Sequence, residues 1–196
     1  MSRHPLLLIM TKQPQVGAVK RRLAKGIGEL AAWQFYRRNV FDLIKRLTRV
    51  PFWRTKVLIT PDRSRYGWPR GLRQIPQGHG DLGARMIAGL NSAPRGTPTI
   101  VIGCDIPGIS IMHIRQAFDA LGHAHATFGP AEDGGYWLVG FSGRQRLWRP
   151  FTNVRWSSPH ALADTLANFT NKKVAYAARL RDVDDIKSWA WAKGAL

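Results

Sequence analysis

Leu6-Leu7-Leu8-Ile9-Met10 is an unbroken apolar run set between polar segments. Five such residues are too few for a membrane span and suit a strand buried on both faces. Similar runs follow at Lys56 to Thr60, Thr99 to Gly103 and Tyr136 to Phe141, with short strands expected near Leu72 to Ile75 and at Lys173 to Ala178. Between these runs the apolar residues change period. From Glu29 to Leu47 the positions Leu30, Trp33, Tyr36, Val40, Leu43, Ile44 and Leu47 recur at three and four residues, with Arg37, Arg38, Lys45 and Arg46 largely between them, which predicts a long amphipathic helix. Asp81 precedes a helix carrying Leu82, Met86 and Leu90, and Ser110 one carrying Ile111, Ile114, Phe118 and Leu121. Ser158 is expected to cap a third, with Pro159 in its first position and Leu162, Leu166 and Phe169 along it. A short terminal helix holds Ile186 and Trp189. Strands alternating with helices predict an α/β fold, a three-layer α/β/α sandwich with a mainly parallel mixed sheet. The 196 residues suit one domain, expected to span 1–196.

Lys and Arg number 30 against 12 Asp and Glu, a formal charge of +18. The excess is spread over Lys20 to Lys25, Arg37 to Arg49, Arg63 to Arg73, Arg144 to Arg155 and Lys172 to Arg181 rather than gathered in a tail. Such a surface attracts phosphates, with nucleic acid or an anionic membrane face as further possible partners. Cys104 is the one cysteine, which excludes an internal disulfide and a thiolate metal cluster and fits a cytoplasmic setting. No apolar run reaches the length of a signal core or a transmembrane helix.

Candidate chemistry sits where strands end. After the first strand, a loop containing Lys12, Gly17, Lys20, Arg21 and Arg22 can hold phosphates through backbone N–H groups and cations, although its spacing is that of neither a P-loop nor a dinucleotide fingerprint. Taken alone, the cluster reads as a solvated surface patch. At Gln77-Gly78-His79-Gly80-Asp81, two glycines precede a helix whose N-terminus is a natural anion site. Asp105 follows the apolar run Thr99 to Gly103, at the carboxyl end of a strand where open α/β sheets place ligands. It either carries a divalent metal beside substrate phosphates or caps a turn before Pro107. Glu132-Asp133-Gly134-Gly135-Tyr136 sets two carboxylates before a glycine turn and a rigid strand, and the alternative is an acidic hairpin corner facing water. Asp182, Asp184 and Asp185 form a helix-start cluster or supply a second metal carboxylate. His123 and His125 lie in a glycine-bounded connection and read as loop.

Six blocks taken in order resemble one family: Lys12-Gln13-Pro14 with Gly17 and Lys20 to Leu23, Gln77 to Gly83 with Arg85-Met86, Gly103 to Pro107, Gly129 to Gly140, Trp156-Ser157, and Asp182-Val183-Asp184. Together they look like the glycosyltransferase-like proteins labelled DUF2064. That family is similar to nucleotide-diphospho-sugar transferases of the GT-A fold and to the nucleotidyltransferases that make molybdenum cofactor and phospholactate guanylyl derivatives. The resemblance implies that the loop from Lys12 to Arg22 binds the nucleotide and its phosphates, with Gln77, Gly78 and Asp81 beside them. It further implies that Asp105 and Asp184 carry Mg²⁺ or Mn²⁺, and that Gly134, Gly135 and Tyr136 face the sugar or acceptor. Three positions depart from the pattern. Arg21 replaces a usual threonine, Cys104 replaces a usual serine, and the Thr-Pro usual after the last acidic motif is missing.

Two expectations of different class follow. The first is a metal-dependent transferase acting on a nucleotide or nucleotide-sugar and a small acceptor. In it Lys20 neutralises the diphosphate and Asp133 or Glu132 serves the acceptor hydroxyl, with sugar transfer preferred over nucleotidyl transfer. The second is a non-catalytic binder of nucleic acid or another polyanion, suggested by the +18 charge and eight tryptophans.

Overall fold

The computed structural model describes residues 4–64, 66–143 and 149–195; Arg65, Arg144 and Arg146 of the basic tracts lie outside them. Seven strands form one sheet among the described residues: β1 (Leu6–Lys12), β2 (Arg54–Thr60), β3 (Gln74–Pro76), β4 (Thr99–Ile102), β5 (Ala126–Pro130), β6 (Tyr136–Phe141) and β7 (Val174–Tyr176), in the spatial order β3-β2-β1-β4-β6-β5-β7. The pairings β1–β2, β2–β3, β1–β4 and β5–β7 are parallel, and β6 runs antiparallel between β4 and β5. This is the expected α/β class with a mainly parallel mixed sheet. From β1 the chain moves outward through β2 to β3, then returns to β4 on the other side of β1. The carboxyl ends of β1 and β4 therefore flank a topological switch point, the place where such sheets bind ligands.

Alternation along β1 divides the core. Leu7 and Ile9 pack with Tyr36, Val40, Leu43, Ile44 and Leu47 of α2 (Glu29–Thr48). Leu6 and Leu8 face Met86 and Leu90 of α3 (Leu82–Asn91) in a cluster that also holds Phe128 and Phe169. Helix α3 lies close to the sheet because Gly89 has no side chain; a Cβ there would stand 2.6 Å from Leu58 Cδ2. Helices α4 (Ile111–Ala120), with its Ser110–His113 capping box, and α5 (Ala161–Ala167) complete the layers on the sheet.

Several local expectations shift. The loop after β1 contains a helix, α1 (Arg21–Ile27), whose seven residues bury only Leu23 and so give no periodic signal. It packs on α2 and on α6 (Ile186–Ala195) through Leu23, Ala32, Val183 and Ala192. β5 escaped the sequence reading because its Gly129 and Pro130 mimic a loop, although all five residues are buried. The short third strand begins at Gln74 rather than Leu72. Leu30 is exposed on α2, while Ala32 and Asn39 take buried places. Ser158 does not cap α5. Its hydroxyl donates to Arg155 O (2.6 Å) and accepts from His160 N (3.2 Å), shaping a turn ahead of a helix that starts at Ala161.

Phe128 is fully buried and meets Tyr136 and Phe169 edge to face at 5.4 and 5.3 Å. Phe128→Ala is expected to lower stability by about 3–5 kcal/mol in urea unfolding. A loss under about 1 kcal/mol would mean that this aromatic cluster does not hold the β5–β6 half in place.

Candidate active site

Helix α2 positions two loops at the switch point. Tyr36 Oη accepts from Lys12 N (3.0 Å), donates to Lys12 O (3.0 Å), and lies 3.3 Å from Thr11 Oγ1 and 3.5 Å from Cys104 Sγ. Burial drives its phenol far above the ordinary range, so the hydroxyl stays a neutral partner. One turn along, Asn39 Nδ2 donates to Cys104 O (2.7 Å) and fixes the chain that presents Asp105. Neither Tyr36 nor Asn39 stood out as a site residue in the sequence, because both fall within the amphipathic pattern of α2. Lys12 Nζ donates to Ala18 O (2.9 Å) and folds the loop back toward Lys20.

At Lys20 the backbone is left-handed (φ 48°, ψ 45°) as it enters α1. Its side chain is 4% exposed, and Nζ lies 2.6 Å from both Asp105 Oδ1 and Asp184 Oδ1. Burial alone would lower the Lys20 pKa, but the two carboxylates outweigh it and raise the ammonium above its ordinary value. Asp184 also pairs through Oδ2 with Arg22. Burial would raise its carboxyl, and Lys20 and Arg22 hold it below the usual range. Between the flanking acids, Val183 is fully buried and its N–H donates to Asp105 O (3.3 Å), which ties the C-terminal segment to the end of β4. Asp185 behaves as the helix-start acid, its Oδ1 accepting from Ser188 N (2.8 Å). Asp182 is pushed up to about 6 by burial and by the charges of Asp184 and Asp133. The sequence marked the cluster but did not separate these three roles.

The acidic turn stands at the same end, since the first residues of antiparallel β6 pair with the end of β4 (Ile102 with Leu138). Gly134 has φ +86°, and a Cβ there would overlap the Pro159 carbonyl, so only glycine fits. Asp133 Oδ1 accepts from Gly135 N (2.9 Å), closing its own turn, and Glu132 lies 3.4 Å from Arg181 Nε.

A cavity of about 420 Å³ opens between these parts. Of the expected site residues, Lys12, Lys20, Gln77, Asp105 and Tyr136 line it. Met10, Met86, Trp137 and Val139 add an apolar wall that the motifs did not mark. Gln77 is buried, and its Nε2 donates to Thr11 O (2.9 Å) and Leu58 O (3.1 Å), so Oε1 turns toward Arg85 (3.5 Å). The Tyr136 hydroxyl faces Thr165 Oγ1 (3.3 Å) on α5. Gly17, Arg22, Gly78, Asp81, Glu132, Asp133, Gly134, Gly135 and Asp184 lie off the cavity lining. Gly78 N donates to Asp62 Oδ1 (3.1 Å). The Asp81 carboxylate caps α3 by accepting from Ala84 N (2.8 Å), which places negative charge at the helix start expected to receive an anion.

The donor chemistry fits a divalent cation. Asp105 and Asp184 bring hard oxygen ligands to one point, and Mg²⁺ is ordinarily held by one or two carboxylates with phosphates and water completing the shell. Among the described residues no group of three or more His, Cys, Asp or Glu offers an all-protein site.

Two measurements check this construction. Tyr36→Phe keeps the ring but leaves Lys12 N–H without its acceptor, and an expected loss of about 1–3 kcal/mol is read by urea unfolding. Burial, with Asp105 adjacent, pushes the Cys104 thiol up to about 12. The native protein should therefore leave a disulfide reagent unreacted at pH 8 and titrate one thiol only when unfolded. Rapid native reaction would contradict the closed packing around Tyr36.

A family model described as "Uncharacterized protein conserved in bacteria (DUF2064)" matches residues 43–158. Among solved structures, the chain is similar to a candidate nucleotide-diphospho-sugar transferase from Desulfovibrio desulfuricans G20, with 26% identity, a TM-score of 0.84, and coverage of 94% of this chain and 84% of that one. CMP:2-keto-3-deoxy-manno-octonic acid synthetase complexed with CTP matches at 10% identity and a TM-score of 0.59 over 98% of both chains. The 4-diphosphocytidyl-2C-methyl-D-erythritol synthase of Anaerococcus prevotii DSM 20548 matches at 10% identity and a TM-score of 0.59 over 97% of both. These last two share the fold. No curated protein matches the chain in sequence. With more than half of its length matched by one family model, and with the nucleotide-diphospho-sugar transferase fold, the chain belongs to the DUF2064 family.

Proposed function

We propose that the chain is a transferase that moves a sugar from a nucleotide-diphosphate donor to a small acceptor. One observation carries the reading: Lys20, Asp105 and Asp184 meet beside a cavity at the sheet's switch point. The similarity to the Desulfovibrio protein agrees with it. In this reading the donor's nucleotide and phosphates lie along Lys12, Lys20 and Arg22 with Gln77 beside them, and Tyr136 faces the sugar or the acceptor. Asp105 and Asp184 hold Mg²⁺ or Mn²⁺, which neutralises the charge of the departing diphosphate. The acceptor hydroxyl bonds to the anomeric carbon as the bond to the diphosphate oxygen breaks. Its proton passes to Asp133 or Glu132, after either leaves its present partner. The unit that acts is residues 1–196 as a single domain. Among the described residues no helix is long and apolar enough to cross a membrane. The single cysteine is the ground on which we place the chemistry in the cytoplasm.

The cations along the loop favour a second reading, in which a triphosphate binds and pyrophosphate departs when a nucleotide is transferred to a phosphorylated acceptor. Phosphorus NMR separates the two by the released product, a nucleoside diphosphate or pyrophosphate.

The test is a thermal-shift panel of UDP, GDP, CDP, ADP and dTDP sugars and the matching triphosphates, each with and without Mn²⁺. The expected result is a metal-dependent stabilisation by one nucleotide, growing with ligand concentration as binding to the native state requires. Asp105→Asn should retain the fold and lose turnover by about a hundredfold or more. Full activity in that variant, or a response to oligonucleotides alone with a steep salt dependence, would replace the transferase with a polyanion binder.

A further inference from the structure

We propose that Lys20 is an exchangeable counter-cation. Its ammonium holds Asp105 and Asp184 until phosphate oxygens draw it away, so a divalent cation gains those carboxylates only in company with a phosphate-bearing ligand. The inference rests on the reading of this site as one for phosphate and metal, and it adds an order of assembly.

Occupancy is the first ground. Both Oδ1 atoms lie 2.6 Å from Lys20 Nζ, and the other oxygen of Asp184 is engaged by Arg22. A cation coordinating the same two oxygens at about 2.0–2.6 Å would stand where the ammonium stands. Like charges do not share that point.

Burial is the second. With a side chain only 4% exposed, Lys20 stripped of its carboxylates would be left desolvated and unpaired, which is strongly unfavourable. A metal ion arriving alone must bear that penalty. A phosphate arriving with it gives the ammonium new oxygens and removes the penalty.

Anchoring is the third. The Lys20 carbonyl accepts from Ala24 N (2.8 Å) at the start of α1, and Leu23 is fully buried, so the backbone at Lys20 is held independently of the partners of its ammonium. Lys12 and Lys20 line the same cavity, which gives an incoming phosphate access to both. By linkage, whatever factor the phosphate contributes to metal affinity the metal returns to phosphate affinity.

Mn²⁺ binding to the full chain, read as free Mn²⁺ by electron paramagnetic resonance against a protein-free blank, tests the exchange without any turnover. Mn²⁺ alone should bind Lys20→Met about ten- to a hundredfold more tightly than wild type, the usual span of a coupling between sites. Arg22→Met, at an exposed position, should tighten it by a smaller factor. Inorganic phosphate should tighten Mn²⁺ binding to wild type by a larger factor than to Lys20→Met, where only its direct coordination to the ion and its contacts with Lys12 and Arg22 remain. Equal Mn²⁺ affinity in wild type and Lys20→Met overturns the exchange. If Lys20→Met fails to fold, judged by circular dichroism, the wild-type phosphate arm decides: an affinity that phosphate does not change overturns it. An Mn²⁺ difference that persists in a protein showing no nucleotide turnover would remove the functional reading and leave the exchange standing.

Discussion

The bond of the Lys20 ammonium to Asp105 and Asp184 joins residues from the first loop, the central strand and the C-terminal segment, with 164 positions separating Lys20 from Asp184. The lysine is buried, while Asp105 and Asp184 keep 52% and 32% of their side chains exposed. The value of the contact is geometric, because the Lys20 ammonium cannot be buried without carboxylates to pair it. The surrounding structure serves the same arrangement. Buried Val183 donates its N–H to Asp105 O, and α6 packs on α1 so that the acidic segment returns to the loop after β1. Removing the C-terminal segment would leave Lys20 half-neutralised and Asp105 without its backbone neighbour.

Topology explains why the cavity lies where it does. β1 is flanked by strands reached in opposite directions along the chain, so the loops after β1 and β4 part above the sheet and leave a crevice. The antiparallel insertion of β6 then brings a different kind of group to that rim. A parallel strand there would have presented its carboxyl end, whereas β6 presents its first residues and the acidic turn before them. Cations from the β1 loop and carboxylates from the turn thus stand at the same end of the sheet.

The sequence made the strands β1, β2, β4 and β6 and the helix α2 legible, because each buries enough apolar surface in a regular period. It hid elements whose burial comes from contacts distant in the chain. β5 contains Gly129 and Pro130, and its buried position depends on pairing with β6 and β7. Helix α1 has one buried residue, Leu23, whose partners Val183 and Ala192 lie far along the chain. The site followed the same division. Charged and glycine residues at strand ends were visible as motifs, while Tyr36 and Asn39, which position the loops, look like any residues of an amphipathic helix. The Asp81 cap followed from local chemistry, whereas the bond of Asp133 to Gly135 N was among neither reading of the acidic turn, although short acids before glycines commonly close such turns.

Charge acts at two ranges in this molecule. The net +18 is spread over many elements and favours anions at distances up to about the Debye length, some 8–10 Å at ordinary salt. Six of the twelve acids, however, fall in the segments Asp105, Glu132-Asp133 and Asp182 to Asp185, which meet at one end of the sheet. Asp182 registers that local field, its carboxyl pushed up to about 6 by burial first and then by Asp184 and Asp133. An anion approaching the basic surface is therefore attracted at long range and meets concentrated carboxylates at short range. In the proposed reading, a ligand that brings its own cation, or that exchanges with Lys20 and Arg22 for those carboxylates, satisfies both fields at once. That reading favours phosphates accompanied by metal over a bare polyanion, because a nucleic-acid strand gains from the outer field and meets the carboxylates of the inner one.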